Sequence, residues 1–525
     1  MMHLSALCMI YAFLVMHNRK TMNSKNYINI IALTFLIWSC NNNTEQSNQA
    51  KSDPRISHVD SVLTQLNNER GFNGNMLIAE QGNISYSKSF GFADYQKRVK
   101  LTENTIFNIA SISKTFTAVG IMILVEQGKL ALDNNVIDVL DNFPYPEVTV
   151  QQLLSHTSGI IVEQRPPFLY EIKDKGYDNQ KVYELFSEIK PELVFPSGTN
   201  YMYSNSNYIF LALIIEKLSD ESYASFLKDN IFKPAQMNRS FLHYNDIPED
   251  LLESVAKPHQ SSFLSKDPFP VSHEDSTFIN MYGEGWIYST TKDLFQYHKA
   301  LQDGKILSKK TLEEMYTPIS LKNDKTYEIN GKTNYPSLSG LAWRVAKDSI
   351  SGKIVYHSGG VLGGRTMLFR NVSKDMFYVC LTNNDESARN TFSFPFKKLH
   401  NEDYKLDKLY LSKEFGKIYL EKGVDVAIDF FEEHKSDKNY VPFSGWDYED
   451  IGIELIAKKD LKSAIKLYEL YNSEYPKVSF GHKNLGKVYN LMEDKNQSIK
   501  HYKLALEYSD DEDEKKEIKS ALGSS

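Results

Sequence analysis

Ser111 and Lys114 lie three residues apart in NIASISKTFTAVGIMILVEQG, the stretch from Asn108 to Gly128. A serine hydroxyl is a weak nucleophile at its own pKa and needs an adjacent base. A lysine one helical turn later lies on the same face. It can be that base only when burial or nearby positive charge lowers its pKa. The spacing alone carries little weight. It recurs at Ser85/Lys88, Ser187/Lys190, Ser225/Lys228, Ser254/Lys257, Ser289/Lys292 and Ser463/Lys466, and any of these can be a helix start with a solvated lysine.

Context separates Ser111 from the others. It stands at the front of a long apolar-periodic segment that stops near Gly128, a residue type favoured just past a helix end. A serine there faces unpaired backbone N–H groups and the positive end of the helix dipole. Ile109, Ala110, Phe116 and Ala118 are all apolar or small, which implies that Lys114 is buried.

The elements around this helix set its position. Ile56 to Arg70 has helical spacing of apolar residues. Two strand-like runs follow, NMLIAEQG and ISYSKSFG, joined by a Gly-Asn turn. Helical segments fill the middle of the chain, and three strand candidates come late: IVYHSG, TMLFR and MFYVCLTN. Strands at both ends with helices between them predict an α+β domain over residues 54–400. Its antiparallel sheet is closed by bringing the two ends together, with an all-helical lobe beside it. From residue 406 to 525 only helical periodicity remains. Gly452, Ala464, Tyr468 and Pro476 recur as Gly486, Ser498, Tyr502 and Asp510, a step of 34 residues (452 to 486). A degenerate copy, Gly416, Tyr419, Ala427 and Phe431, precedes them. The pattern resembles tetratricopeptide repeats, in which small residues let two helices approach and an aromatic fills the gap. Such a segment either binds a protein partner or only packs on the enzyme domain.

Several further landmarks then fall in order. FNIASISKTFTA resembles the nucleophile motif of serine β-lactamases and penicillin-binding proteins, and most of all class C β-lactamases with their esterase and D-aminopeptidase relatives. LLSHTSGI follows, with His156 read as a loop anchor. PSGTNYMYSNSNYIF carries Tyr203-Ser204-Asn205 before an amphipathic helix. YGEGWIYSTTKDLFQY resembles the family's glycine-rich segment, and VYHSGGVLGG places His357-Ser358-Gly359 on an expected edge strand, where relatives have Lys-Thr-Gly. The resemblance implies that Ser111 attacks a carbonyl and is acylated, that Lys114 takes its proton, and that Tyr203 relays protons and helps activate the deacylating water. It implies that Asn205 and Ser358 hold the substrate, and that the N–H groups of Ser111 and Gly360 form the oxyanion hole. No metal or organic cofactor is implied. His357 is the departure. A histidine titrates near pH 6.5 unless perturbed, so the charge that a lysine would fix is conditional here. That favours an esterase or D-aminopeptidase over a dedicated β-lactamase, unless His357 merely caps a strand.

The chain has 525 residues, 41% hydrophobic and 24% charged, enough to bury a sizeable core. A formal net charge of −7 gives no basic surface for nucleic acid. The three cysteines, Cys8, Cys40 and Cys380, make no disulfide framework. No Gly-x-Ser-x-Gly elbow and no His-Glu-x-x-His helix occurs. From Met22 the chain reads MNSKNYINIIALTFLIWSC, a positive start and a short apolar core ending at Ser39-Cys40. Residues 1–40 thus resemble a bacterial lipoprotein leader with Cys40 as the lipidated residue, or else an uncleaved anchor, and residues 41–53 form a polar tether. The expectation is a secreted, lipid-anchored serine hydrolase, periplasmic or at the cell surface. It would act on a D-amino-acid peptide, a small ester or amide, or a β-lactam. The alternative is a catalytically weak scaffold that uses the same fold for partner binding.

Overall fold

The run GNMLIAE has almost no polar alternation, so a strand built from it must be covered on both faces. In the computed structural model, which describes residues 53–162, 176–272, 279–322, 328–329, 337–348, 352–384 and 408–524, that run is a central strand. The leader with Cys40 and the 400/406 domain boundary lie outside the described residues. Contacts divide the chain into Met1–Ser57 and His58–Ser525, and the second unit holds the whole sheet.

The strands used here are β1 (Gly74–Glu80), β2 (Asn83–Phe90), β3 (Phe107–Asn108), β4 (Tyr288–Ser289), β5 (Glu328–Ile329), β6 (Ser337–Ser339), β7 (Arg344–Asp348), β8 (Gly352–Val361), β9 (Gly364–Asn371) and β10 (Met376–Thr382). Eight of them form one antiparallel sheet in the order β2-β1-β10-β9-β8-β7-β6-β5. β1 pairs with β10, Gly74 opposite Thr382, so the two ends of the domain close the sheet as expected. The β1–β2 turn sits one residue earlier than the sequence implied. Gln81 and Gly82 take the two positive-φ positions (49° and 73°) that match the twist of a two-residue hairpin, and Asn83 already starts β2.

The expected edge position of His357 needs correcting. β8 is an inner strand, because β7, β6 and β5 add on outside it from a segment with too little alternation to read as strands. The β7 ladder, however, ends at Tyr356, and from His357 to Val361 the strand pairs with β9 alone. The half that carries His357, Ser358 and Gly360 therefore keeps one side open to the helical lobe.

The helices used here are α1 (Pro54–Arg70), α2 (Ser113–Glu126), α3 (Ser206–Ser219), α4 (Thr291–Gln302) and, after residue 408, α5 (Leu411–Lys422), α6 (Val424–His434), α7 (Gly445–Ala457), α8 (Leu461–Glu474), α9 (Ser479–Leu491), α10 (Lys495–Tyr508) and α11 (Glu512–Ser524). α2 is buried on every side from Ser113 to Leu124, and α3 from Ser206 to Ile215. They cross closely because Gly120 offers no side chain. A Cβ there would lie 2.8 Å from Ile215 Cδ1. Each fully buried Leu, Ile or Phe in this pair is worth about 1.5–3 kcal/mol.

The C-terminal helices have their own core, around Phe415, Phe431, Tyr448, Leu467 and Tyr468. Gly452 backs onto Tyr468 and Gly486 onto Tyr502, so the small and aromatic positions of the 34-residue pattern meet as helix contacts. The segment before residue 272 reaches into this core. Leu264 is fully buried in it, and Glu454 of α7 accepts hydrogen bonds from the Phe263 and Leu264 N–H groups (2.8 and 3.0 Å) and the Ser262 hydroxyl (2.5 Å).

Candidate active site

Ser111 sits in a tight turn, Ala110–Ile112, between β3 and α2. The turn is strained: Ala110 has φ +50°, a left-handed conformation that costs a non-glycine residue about 1–3 kcal/mol. Its surroundings hold it there. The Ala110 N–H donates to Asn108 Oδ1 (2.8 Å), the Ile109 N–H to the Ile287 carbonyl (2.8 Å), and the Ile109 carbonyl accepts from the Thr366 hydroxyl (2.9 Å). β8 presses on the turn through Gly359. A Cβ at that position would lie 2.3 Å from Thr366 Oγ1, 2.6 Å from the Ile109 carbonyl oxygen and 2.9 Å from Ala110 Cβ. Only glycine lets the His357–Gly360 strand lie against the serine turn.

The second serine of the motif has a separate duty. Ser113 Oγ accepts from the Ile287 N–H (3.2 Å), fastening the glycine-rich segment before β4 onto the start of α2. Gly283 in that segment has φ +93° and lies against the Tyr208 carbonyl, where a Cβ would sit at 2.3 Å.

Lys114 is completely buried. Its Nζ donates to Ser111 Oγ at 3.1 Å and to the Glu284 backbone carbonyl at 2.5 Å. The Glu284 carboxylate lies 3.4 Å away through Oε2. Two tyrosine rings face the ammonium, Tyr203 at 5.1 Å and Tyr208 at 5.6 Å. They are not equivalent. Burial pushes the Tyr208 hydroxyl well above its ordinary range, and it donates to the Leu154 carbonyl at 2.7 Å, so it is a fixed prop. Tyr203 is half-buried on the segment before α3.

His156 shapes that segment. Its backbone is left-handed (φ +60°), its carbonyl accepts from the Met202 N–H (2.9 Å), and its Nδ1 accepts from the Ser204 N–H (3.1 Å). Its ring lies 4.3 Å from that of Tyr203. Burial, then the charges of Lys114, His357 and Arg344, hold its pKa far below the ordinary value, so it is a neutral support.

His357 lies 6.4 Å from Tyr203, ring to ring, and is 2% exposed. Burial first, then the positive charges of Arg344 and Lys114, push its pKa down to about 3. Its Nδ1 stands 2.7 Å from the Ser358 carbonyl, which can only accept, so the neutral ring keeps its proton on Nδ1. The charge expected to be conditional is therefore absent at neutral pH.

Asn205 leads into α3, and its Oδ1 is buried without a hydrogen-bond partner. Such an orphan acceptor costs about 1–3 kcal/mol until a donor arrives. Ser358 and Gly360 lie on the open side of β8, Gly360 exposed. Ser111, Lys114, Tyr203 and His357 thus share one site, with Asn205, Ser358 and Gly360 on the segments that border it. Cys40 lies outside the described residues. Sequence reasoning missed Glu284. Its signal was a charged residue between two glycines, Gly283 and Gly285, in an otherwise apolar lead into a helix.

Residues 59–399 match the protein-family model described as Beta-lactamase. A penicillin-binding protein of Bacillus subtilis (strain 168) is 32% identical over 336 residues, 63% of this chain and 72% of that one. Among solved structures, the octameric penicillin-binding protein homologue from Pyrococcus abyssi superposes with a TM-score of 0.57 at 26% identity, over 69% of this chain and 82% of that one. The D-amino acid amidase from Ochrobactrum anthropi SV3 shares the fold at a TM-score of 0.54 and 21% identity, over 66% and 96% of the two chains. The family match stops before α5.

Proposed function

Because this chain belongs to the Beta-lactamase family of serine hydrolases, we propose that it cleaves a D-amino-acid peptide or a small ester or amide through an acyl-enzyme on Ser111. The observation that carries this reading is the fully buried Lys114 amine, 3.1 Å from Ser111 Oγ, in a strained turn that its hydrogen bonds and the close approach of Gly359 hold in place. Lys114 takes the hydroxyl proton as Oγ bonds the carbonyl carbon. The N–H groups of Ser111 and Gly360 stabilise the oxyanion, each such donor typically worth about 2.7–4 kcal/mol. Tyr203 passes the proton to the leaving group and then draws one from the deacylating water. The orphan Oδ1 of Asn205 takes a substrate amide N–H, and Ser358 lines the strand beside it. His357, neutral at working pH, offers a substrate carboxylate no charge. A β-lactam and a peptide with a free C-terminal carboxylate both lose that anchor, so an uncharged ester or amide is the fastest of the substrate classes.

The test is a panel: a p-nitrophenyl ester, a D-Ala-D-Ala peptide and a chromogenic cephalosporin, with intact-mass detection of the adduct. Turnover of the ester well above the cephalosporin supports the reading. Cephalosporin turnover that exceeds the ester's refutes it. We propose further that residues 406–525 are tetratricopeptide-like and carry a protein partner, and that Cys40 anchors the chain in the envelope by lipid. Trp446 is 76% exposed on α7; a chain lacking residues 406–525 that retains the partner as well as wild type would refute the first. Loss of membrane association in Cys40→Ala is the outcome expected for the second, and unchanged association would refute it. Among the described residues no helix is long and apolar enough to cross a membrane.

A further inference from the structure

We infer that Glu284 is the proton partner of Lys114, a positioning residue whose carboxylate takes the ammonium proton so that the amine can act on Ser111. The inference rests on Ser111 and Lys114 being the nucleophile and its base. It addresses a gap they leave. Lys114 must be neutral to accept a proton, yet its surroundings favour the ammonium as long as Glu284 is ionised: the Glu284 carbonyl at 2.5 Å, Ser111 Oγ at 3.1 Å, the Glu284 carboxylate at 3.4 Å, and the π faces of Tyr203 and Tyr208. In relatives a lysine at the third motif adds positive charge nearby. Here that residue is His357, buried and neutral, so it cannot help.

Glu284 is placed to do what His357 does not. It is 8% exposed, on the segment that Ser113 and Gly283 fasten to α2, and its Oε2 lies 3.4 Å from Lys114 Nζ. Two charges so deeply buried pay a heavy desolvation cost, and a neutral amine beside a neutral carboxylic acid escapes it. One proton shared by such a pair belongs to the pair rather than to either residue. In the step proposed, the ammonium proton moves to Glu284 Oε2. The amine lone pair then takes the Ser111 hydroxyl proton as Oγ bonds the carbonyl carbon, and the carbonyl π pair moves onto oxygen. When the bond to the leaving group breaks, the Lys114 ammonium supplies its proton through Tyr203, and Glu284 returns the stored proton to the amine. Among the described residues, the other titratable groups around the pair are Tyr223, which feels the Glu284 charge, and His156 and His357, which feel Lys114 and Arg344.

The experiment is the pH dependence of Ser111 labelling by a fluorophosphonate, which needs no deacylation, in wild type, Glu284→Gln and Glu284→Asp. Circular dichroism confirms that each variant is folded. Wild type should label at a rate nearly flat through neutral pH, because the shared proton keeps a fixed fraction of the amine neutral. Glu284→Gln should label about 10²-fold more slowly at pH 7, a loss typical of an acid–base group. It should gain nearly tenfold per pH unit towards alkaline pH, as the lysine loses its proton to solvent. Glu284→Asp should recover much of the rate and the flat profile. Two results overturn the inference: a Gln variant with the wild-type rate and profile, or equal losses at every pH in Gln and Asp. A wild type that does not label at Ser111 would overturn the proposed function instead.

Discussion

Gly359→Ala puts a methyl group between the oxyanion strand and the serine turn. The added Cβ would lie 2.3 Å from Thr366 Oγ1, 2.6 Å from the Ile109 carbonyl oxygen and 2.9 Å from Ala110 Cβ. Thr366 can rotate away, but only by giving up its 2.9 Å hydrogen bond to the Ile109 carbonyl, at about 1 kcal/mol. Backbone cannot rotate away. Ordinary contact for a Cβ begins near 3.4 Å, so strand and turn must separate by a large fraction of an ångström. Overpacking of this kind costs about 1–3 kcal/mol. A misplacement near 1 Å beside the chemistry costs roughly 10²-fold in rate. The fluorophosphonate labelling rate of Gly359→Ala should therefore fall about 10²-fold, while the melting midpoint falls by only several degrees. Wild-type labelling with a wild-type midpoint would show that β8 does not press on the turn, and the reasoning would be wrong.

Other consequences follow from the same structure. His357 and His298 are buried with pKa values pushed to about 3 and about 4, against 6.5 in the unfolded chain. Burial holds His298 neutral, with Arg370 donating to its Nδ1 and Asp375 at its Nε2. Between those values and 6.5 the unfolded chain binds more protons. Stability therefore rises with pH through that window and is lost on acidification, at a limiting slope near 1.4 kcal/mol per pH unit for each histidine. Thermal melts from pH 7 to pH 4 should show the loss, and His298→Gln should flatten it; an unchanged slope in that variant would contradict the assignment. Glu454→Ala removes the acceptor of the Phe263 N–H, worth about 1–3 kcal/mol if left unpaired, and one of the two acceptors of the Leu264 N–H, which also donates to Ser262 Oγ. Limited proteolysis should then cut near residues 262–264 in the variant and spare the wild type. Gly452→Ala drives a Cβ to 2.0 Å from the buried Tyr468 hydroxyl oxygen, and should lower the stability of the C-terminal helices while Ser111 labelling persists.

How far the sequence could be read depended on the range of the interaction involved. Ser111 and Lys114 were legible because one helical turn joins them, and the closing of the sheet was legible because β1 and β10 are both apolar along their length. The site order also came through, since Tyr203 leads into α3 and His357 sits before the Gly359 contact. What escaped was charge and burial set by distant neighbours. Glu284 meets Lys114 across 170 residues, and a glutamate between glycines reads as a solvated loop until α2 covers it. The neutrality of His357 depends first on its burial and then on Arg344, which comes from a strand whose short, irregular run gave no alternation to read. Leu264 carries no local pattern that marks it as core, because the residues that bury it come more than 140 residues later.

Fluorophosphonate labelling of wild type and Ser111→Ala, with the adduct located by peptide mass, tests the central claim most directly. One adduct per chain on the peptide carrying Ser111, absent from Ser111→Ala and strongly slowed in Lys114→Ala, is the predicted result. Labelling that persists in Ser111→Ala, or that falls on any other serine, would contradict it.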